Sequence, residues 1–395
     1  MVLYMFAGLY KGDPRFAWIP VDPTALFFVL SVAVGGIIII RKGIHQKSLP
    51  VVVAMVCLVT WLGLSLLWSP SRIYGPQKVL FMATLVLWAL MAGALIIAPS
   101  PARVRRLFTL MLLLSLWGGV DAVLAYVESG GSVYRLESVD GDDAGSYLVL
   151  GRICGPGALV ALAGWLYGRG RVAGRLCLVL FLTLCFVLAI SGGRGPLLST
   201  ALPLLIPIGL SIRLPKRKIT ISRTLLLVIV LPLVAAGGLA LYATFTGERL
   251  ATIDRLERLA EGNPRTALYA KALESWPDAP LLGHGAGSWP ILRGIPDRPS
   301  YPHNLFLELL AESGLVGLIL FLALVGVAFR PVSFERLRRD PQALCAMMLF
   351  ANALLNAMTT ADLVGNRSVF MMLGVLALFG FRSVRISAPA KALRQ

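Results

Sequence analysis

Charge is what this sequence has least of. Only 14% of its 395 residues are charged, and the acids are scarce, 20 against 37 Lys and Arg. A soluble domain carries roughly 25% charged residues, so a water-soluble fold of this length is excluded. Cysteine is sparse too. Cys57, Cys154, Cys177, Cys185 and Cys345 fall in or beside apolar runs and form no CxxC pair, so they read as small packing residues with neither a disulfide framework nor a zinc site. No period of about 20–50 residues recurs, which excludes a repeat array. A cleavable leader is not evident either. The first apolar run, Met1–Tyr10, lacks a basic start and a small-residue cleavage site. It is too short to span a bilayer and reads as a half-buried helix or part of a longer span.

Apolar length is what the sequence has. Hydrophobic residues make up 57% of the chain and mean hydropathy is +0.79. Runs of about 20 apolar residues need a bilayer as solvent. The expected fold is an all-α polytopic membrane protein. Candidate spans are 24–40, 49–68, 78–98, 104–127, 145–168, 172–191, 196–213, 222–243, 303–329, 341–359 and 363–380. They number about eleven, or twelve if the N-terminus adds one.

The net charge of +17 invites a nucleic-acid reading, but its distribution answers otherwise. Every second loop is basic: Arg41, Lys42 and Lys47; Arg103, Arg105 and Arg106; Arg169, Arg171 and Arg175; Arg213 to Arg223; Arg330 to Arg339; Arg382 to Arg394. Such alternation is the positive-inside pattern. It places these loops and the C-terminus in the cytoplasm and leaves nucleic acid unsupported. The opposite loops, including 128–144, Ser191–Pro196 and 244–302, then face outward.

Loop 244–302 is the one long polar segment between apolar runs. Its acids and bases are balanced, which suits a folded helical cap. The division expected is therefore 1–243 as an N-terminal bundle, 244–302 as a cap and 303–395 as C-terminal spans. Within the cap, Leu250, Ile253, Leu256 and Leu259 recur every third residue and mark one helix. A second helix starts with Asn263 as N-cap and Pro264 at N1.

Arg265 then stands at the second position of that helix, where the macrodipole disfavours a cation. Free N–H groups and a guanidinium make an anion site there; the alternative is a salt bridge to Glu261 or another cap acid. His303, in Tyr-Pro-His-Asn, sits where a span begins. A helix start disfavours imidazolium, and a neutral imidazole is what a general base requires; the alternative is a hydrogen-bonding role at the interface. Asn304, Glu308 and Glu312 follow at i+4 steps on one face, and the carboxylates need a polar cavity or a partner. Arg194, in Ser-Gly-Gly-Arg-Gly-Pro, lies between two spans, where it contacts a ligand or snorkels outward. Arg152 lies about two turns inside a span, lining a cavity or buried in a pair with Asp121. Gly283-His284-Gly285-Ala286-Gly287 lacks the βαβ context of a nucleotide loop and reads as a tight packed loop, with His284 free to touch substrate. Asp140-Gly141-Asp142-Asp143 resembles a metal-holding DxD but reads better as a solvated acidic loop.

The order Ser-Gly-Gly-Arg-Gly-Pro, Asn-Pro-Arg, Trp-Pro, Gly-His-Gly-Ala-Gly and Pro-His-Asn-Leu-Phe-Leu-Glu-Leu-Leu-Ala-Glu-Ser-Gly-Leu-Val-Gly resembles the O-antigen ligase and polymerase superfamily over roughly residues 185–325. The resemblance implies a lipid-donor glycosyltransferase of GT-C-like architecture in the bacterial inner membrane. It would take a glycan from undecaprenyl diphosphate on the periplasmic side; in the ligase branch the acceptor is a sugar of the lipid A core. By position, Arg194 and Arg265 match the family's arginines and His303 its histidine. Arg152, Arg249, Asn304, Glu308 and His284 are added as substrate-binding candidates outside that correspondence. The loop 128–144 has Arg135 but lacks the Asn-Pro expected of many relatives. Arginines and a helix start can stabilise a diphosphate leaving group without a metal or cofactor, and a single displacement inverts the anomeric centre. Chain length favours the ligase. O-antigen polymerase, O-linked oligosaccharyltransferase to protein and a polyprenyl-lipid or glycan transporter remain the alternatives.

Overall fold

A computed structural model describes residues 1–7, 14–16, 18–128, 145–167, 170–190, 194–211 and 264–379. The chain is an all-α polytopic membrane protein. Seven helices among the described residues are long and apolar enough to cross a membrane. They are α2 (Pro23–Lys42), α3 (Leu49–Leu64, extended to Gln46–Leu67 by short 3-10 turns), α4 (Tyr74–Ile97), α5 (Pro101–Glu128), α6 (Gly145–Tyr167), α7 (Arg171–Ile190) and α12 (Leu305–Phe329). Shorter apolar helices are α8 (Arg194–Ala201) with α9 (Leu205–Ser211), α14 (Pro341–Ala357) and α15 (Arg367–Leu376). The remaining pieces are α1 (Val2–Met5), α10 (Pro264–Ser275), α11 (Trp289–Leu292) and α13 (Phe334–Arg339). The expected span 222–243, the first cap helix at 248–261, Arg249, loop 128–144 and the basic C-terminus lie outside the described residues.

Local chemistry sets the helix starts. Asp22 accepts from Thr24 N at 2.7 Å with Pro23 at N1, and Asp340 accepts from Gln342 N at 2.9 Å with Pro341 at N1. Residues 1–7, the described part of the N-terminal run, are too few to span. Its short helix α1 is packed into the bundle, with Tyr4 donating to Leu85 O at 2.7 Å. The outward residues of α2, among them Val29, Val34, Ile37 and Ile40, are apolar and exposed, as a lipid-facing helix requires.

Helix α6 lies inside, packed against α5, α7, α8 and α14. Its Gly151 and Gly155 stand one turn apart facing Pro196 and Thr200, also one turn apart on α8. A Cβ at either glycine would overlap those side chains, so small residues bring the two helices together. This contact fixes Arg152 between them in sequence. The described part of the expected span 196–213 is one apolar helical stretch, Gly195–Leu210, in which a 3-10 turn at Leu202–Leu204, containing Pro203, joins α8 to α9, because proline removes a ladder donor.

The expected span 303–329 is interrupted. Gly314 has φ 63° and ψ −165°, which breaks α12 into two halves. A break at membrane depth must have its freed backbone groups satisfied by protein. Leu315 N and Val316 N donate to Pro280 O and Leu281 O at 3.0 and 3.1 Å, and His284 N and Gly285 N donate to Ala311 O and Glu312 O at 3.0 and 2.8 Å. Residues 280–285 thus fill the gap in the helix ladder. The Gly-Leu-x-Gly string is the place where a span opens to receive the glycine-rich loop.

Candidate active site

The loop Gly283–Gly287 is held from three sides. Gly283, Gly285 and Gly287 have φ of 70°, 93° and 73°, a region costly for other residues. Trp68 Nε1 donates to Gly283 O at 3.0 Å, Ser69 Oγ donates to Ala286 O at 2.8 Å, and Ala286 N donates to Ser65 Oγ at 2.9 Å. The turn before α4 is fastened in addition by Asp297, which accepts from Ser71 Oγ and from the backbone N–H groups of Arg72, Ile73 and Tyr74 at 2.7–3.2 Å. Burial opposes the Asp297 charge, but these donors win and hold its carboxyl below the usual range.

Beneath the loop, Lys78 Nζ lies 2.5 Å from Glu308 Oε1 and 2.5 Å from Glu312 Oε2, with all three side chains buried. Glu312 also accepts from Gly287 N at 2.9 Å, and Glu308 from Leu363 N at 3.1 Å. Tyr74 Oη donates to Asp362 at 3.0 Å in the same turn between α14 and α15. The i+4 carboxylates of α12 therefore have a shared cationic partner on α4.

Above this platform lies His303, with φ 58°, a left-handed conformation uncommon for a non-glycine residue. Its ring meets Tyr301 edge-on, with centroids 4.7 Å apart, and its buried Nδ1 has no protein hydrogen-bond partner. Burial, then the positive charges of Arg265 and Arg293, push its pKa down to about 4. The imidazole is neutral at pH 7. Arg265 is half-buried at the second position of α10, and that helix is pinned to α12 through buried Trp289, packed with Ala272 and Ala311. Arg293 reaches Ser300 Oγ at 3.4 Å, in the segment leading to His303. Arg152 donates to Gly365 O at 2.7 Å and Asn366 Oδ1 at 3.2 Å, with Tyr301 and Asp362 among its electrostatic neighbours. Arginines from α6, α10 and the segment after α11 therefore converge around Tyr301 and His303.

The sequence candidates divide accordingly. Arg265 and His303 are brought together, and Arg152 approaches from below. Asn304 spends its Oδ1 capping α12, accepting from Phe306 N and Leu307 N at 3.1 and 3.2 Å. Glu308 is engaged by Lys78 and Leu363. His284 donates through Nε2 to Ser275 O at 2.8 Å, a contact that fixes its tautomer and ties the glycine loop to the end of α10. The pair imagined between Arg152 and Asp121 does not form: Asp121 is taken by Arg15 at 2.6 Å, which also stacks on Trp117. Arg194 opens α8, and its side chain, like Arg249, is outside what the structure describes.

Sequence reasoning passed over Lys78, Arg293 and Tyr301. A signal existed for Lys78: two carboxylates inside one span require a cation, and Lys78 is the basic residue at the start of another. Arg293 and Tyr301 carried no comparable mark.

No curated protein matches the chain. Residues 176–322 match the family described as O-Antigen ligase. That stretch contains Arg194, Arg265, His284, His303, Glu308 and Glu312, and over it the chain is similar to the O-antigen ligase family.

Proposed function

We propose that this protein transfers a polysaccharide from undecaprenyl diphosphate to a sugar of the lipid A core, at the periplasmic face of the bacterial inner membrane. The observation that carries this reading is a neutral histidine set among arginines at the start of a broken membrane helix, within the matched family stretch. The basic-loop alternation supports the sidedness, with the C-terminus cytoplasmic. The divisions 1–243, 244–302 and 303–395 serve as bundle, cap and closing spans.

The acceptor hydroxyl attacks the anomeric carbon as the bond to the diphosphate oxygen breaks. The proton passes to His303, and the charge growing on the leaving diphosphate is met by Arg265, with Arg194, Arg152 and Arg249 as further cations. One displacement inverts the anomeric centre. Preorganised donors aimed at developing charge supply the larger part of such catalysis, and here they are side chains, so the reaction is metal-independent. A base with pKa near 4 is weak, but a bound diphosphate offsets the charges of Arg265 and Arg293 and raises the imidazole toward its ordinary value.

The test is donor affinity measured beside transfer rate on purified variants. Arg265→Lys keeps the charge and loses the planar fork; it should weaken donor binding and transfer together. His303→Ala should abolish transfer and keep donor affinity. If His303→Ala loses donor affinity as badly as Arg265→Lys, His303 is a binding residue and not the base. A product in which donor glycans lengthen on the carrier, with the lipid A core unmodified, assigns the polymerase instead.

A further inference from the structure

We infer that Lys78, which lies outside the matched family stretch, is a positioning residue for this site. It acts through Glu308 and Glu312 to hold the glycine loop, tied to the helix that carries Arg265, and the Leu363 turn, which leads to the residues that receive Arg152. The inference rests on the transferase reading only for its kinetic consequence.

Three observations carry it. Lys78 is 2% exposed and touches both carboxylates at 2.5 Å. Each carboxylate also reaches a different backbone: Glu312 the amide of Gly287 in the glycine loop, Glu308 the amide of Leu363 before α15. Those segments in turn hold site residues. The glycine loop is tied by His284 to the end of α10, whose start carries Arg265, and the Leu363 turn continues into Gly365 and Asn366, which receive Arg152. Glu308 and Glu312 stand five and nine residues beyond His303 on the same half-helix, so one ammonium sets the orientation of the helix that presents His303 and of both neighbouring turns. A buried lysine with two carboxylates is a costly way to pack two helices, and two apolar side chains would serve packing alone.

The experiment uses the full-length chain in lipid nanodiscs, with Lys78→Met and the charge-reduced double variant Lys78→Met/Glu312→Gln. Deuterium uptake is followed in peptides containing Gly287 and Leu363, with thermal unfolding and, in the same preparations, kcat and donor KM. Both variants should expose the Gly287 and Leu363 amides to exchange. The double variant should recover most of the thermal stability, since fewer charges stay unpaired. Its kcat should remain depressed by roughly 100-fold, the scale of an ångström-sized misplacement, with donor KM raised as well because the same turns hold Arg265 and Arg152.

Recovery of kcat together with stability would make Lys78 merely structural, and unchanged protection at Gly287 and Leu363 would overturn the inference outright. The two readings fail separately. If wild type transfers nothing to lipid A core but Lys78→Met deprotects both amides, the node stands and the substrate assignment falls. If wild type transfers and the amides stay protected, the reverse holds.

Discussion

Glu312 Oε2 is shared between Lys78 Nζ, at 2.5 Å, and the backbone N–H of Gly287, at 2.9 Å. One buried oxygen therefore joins the start of α4, the broken helix α12 and the glycine loop. The two demands on it separate by substitution. Glu312→Gln keeps an acceptor for Gly287 and leaves Lys78 paired with Glu308. Glu312→Leu leaves the Gly287 N–H buried and unsatisfied, which costs about 1–3 kcal/mol. Thermal unfolding should place Glu312→Leu clearly below Glu312→Gln; equal losses would mean that the Gly287 contact contributes nothing.

The pH dependence of transfer should have two different acid limbs. His303 stands at about 4 in the free protein, below its ordinary 6.5, and kcat/KM reports that state. A bound diphosphate screens Arg265 and Arg293, so the limb in kcat should lie at higher pH. Stability follows the same sign. The unfolded chain takes up this proton near 6.5, so stability from neutral His303 is complete above that pH and is lost as pH falls through about 4. Coincident limbs near 6.5 would show that burial and the arginines do not set the basicity of His303.

Much of the architecture was legible because the bilayer imposes it. Apolar length located α2 to α7 within a few residues, while the Asp22-Pro23 and Asp340-Pro341 helix starts were visible local signals that sequence reasoning passed over. Pro264 and the position of Arg265 at the second residue of α10 were also readable, since proline at N1 is a local signal. The break at Gly314 was not, because a glycine in an apolar run reads as a packing residue. Its meaning comes from residues 280–285, which supply partners from another part of the chain. Lys78 was obscured for a similar reason: at a span boundary it looks like an interfacial charge, and only the tertiary contact with Glu308 and Glu312 shows otherwise. His284 was read as free for substrate because its partner is a backbone carbonyl, that of Ser275, which no side-chain pattern reveals.

Arg293 offers a test of the electrostatics without touching the base. Removing its charge by Arg293→Ala favours the imidazolium, so the His303 pKa should rise. Arg265→Lys keeps a positive charge and should move that pKa much less while weakening donor binding. Histidine titration by NMR on selectively labelled protein in detergent decides this. A His303 pKa unmoved by Arg293→Ala would leave burial and Arg265 as the causes of its depression.

Sidedness can be read by cysteine labelling in a background without native cysteines. Arg298 and Phe334 are exposed and lie beyond opposite ends of α12. Arg298→Cys should react with a membrane-impermeant thiol reagent in intact spheroplasts, and Phe334→Cys should react only after permeabilisation. The opposite pattern would turn the site toward the cytoplasm.

The most direct measurement is transfer by the purified full-length chain, supplied with an undecaprenyl-diphosphate-linked glycan and lipid A-core in chelator-treated lipid nanodiscs. Wild type should produce lipid A-core carrying the glycan with inverted anomeric configuration, and His303→Ala should bind donor and produce none. Glycan-modified lipid A-core at wild-type rate from His303→Ala, or product formed with retained configuration, would contradict direct displacement with His303 as the base.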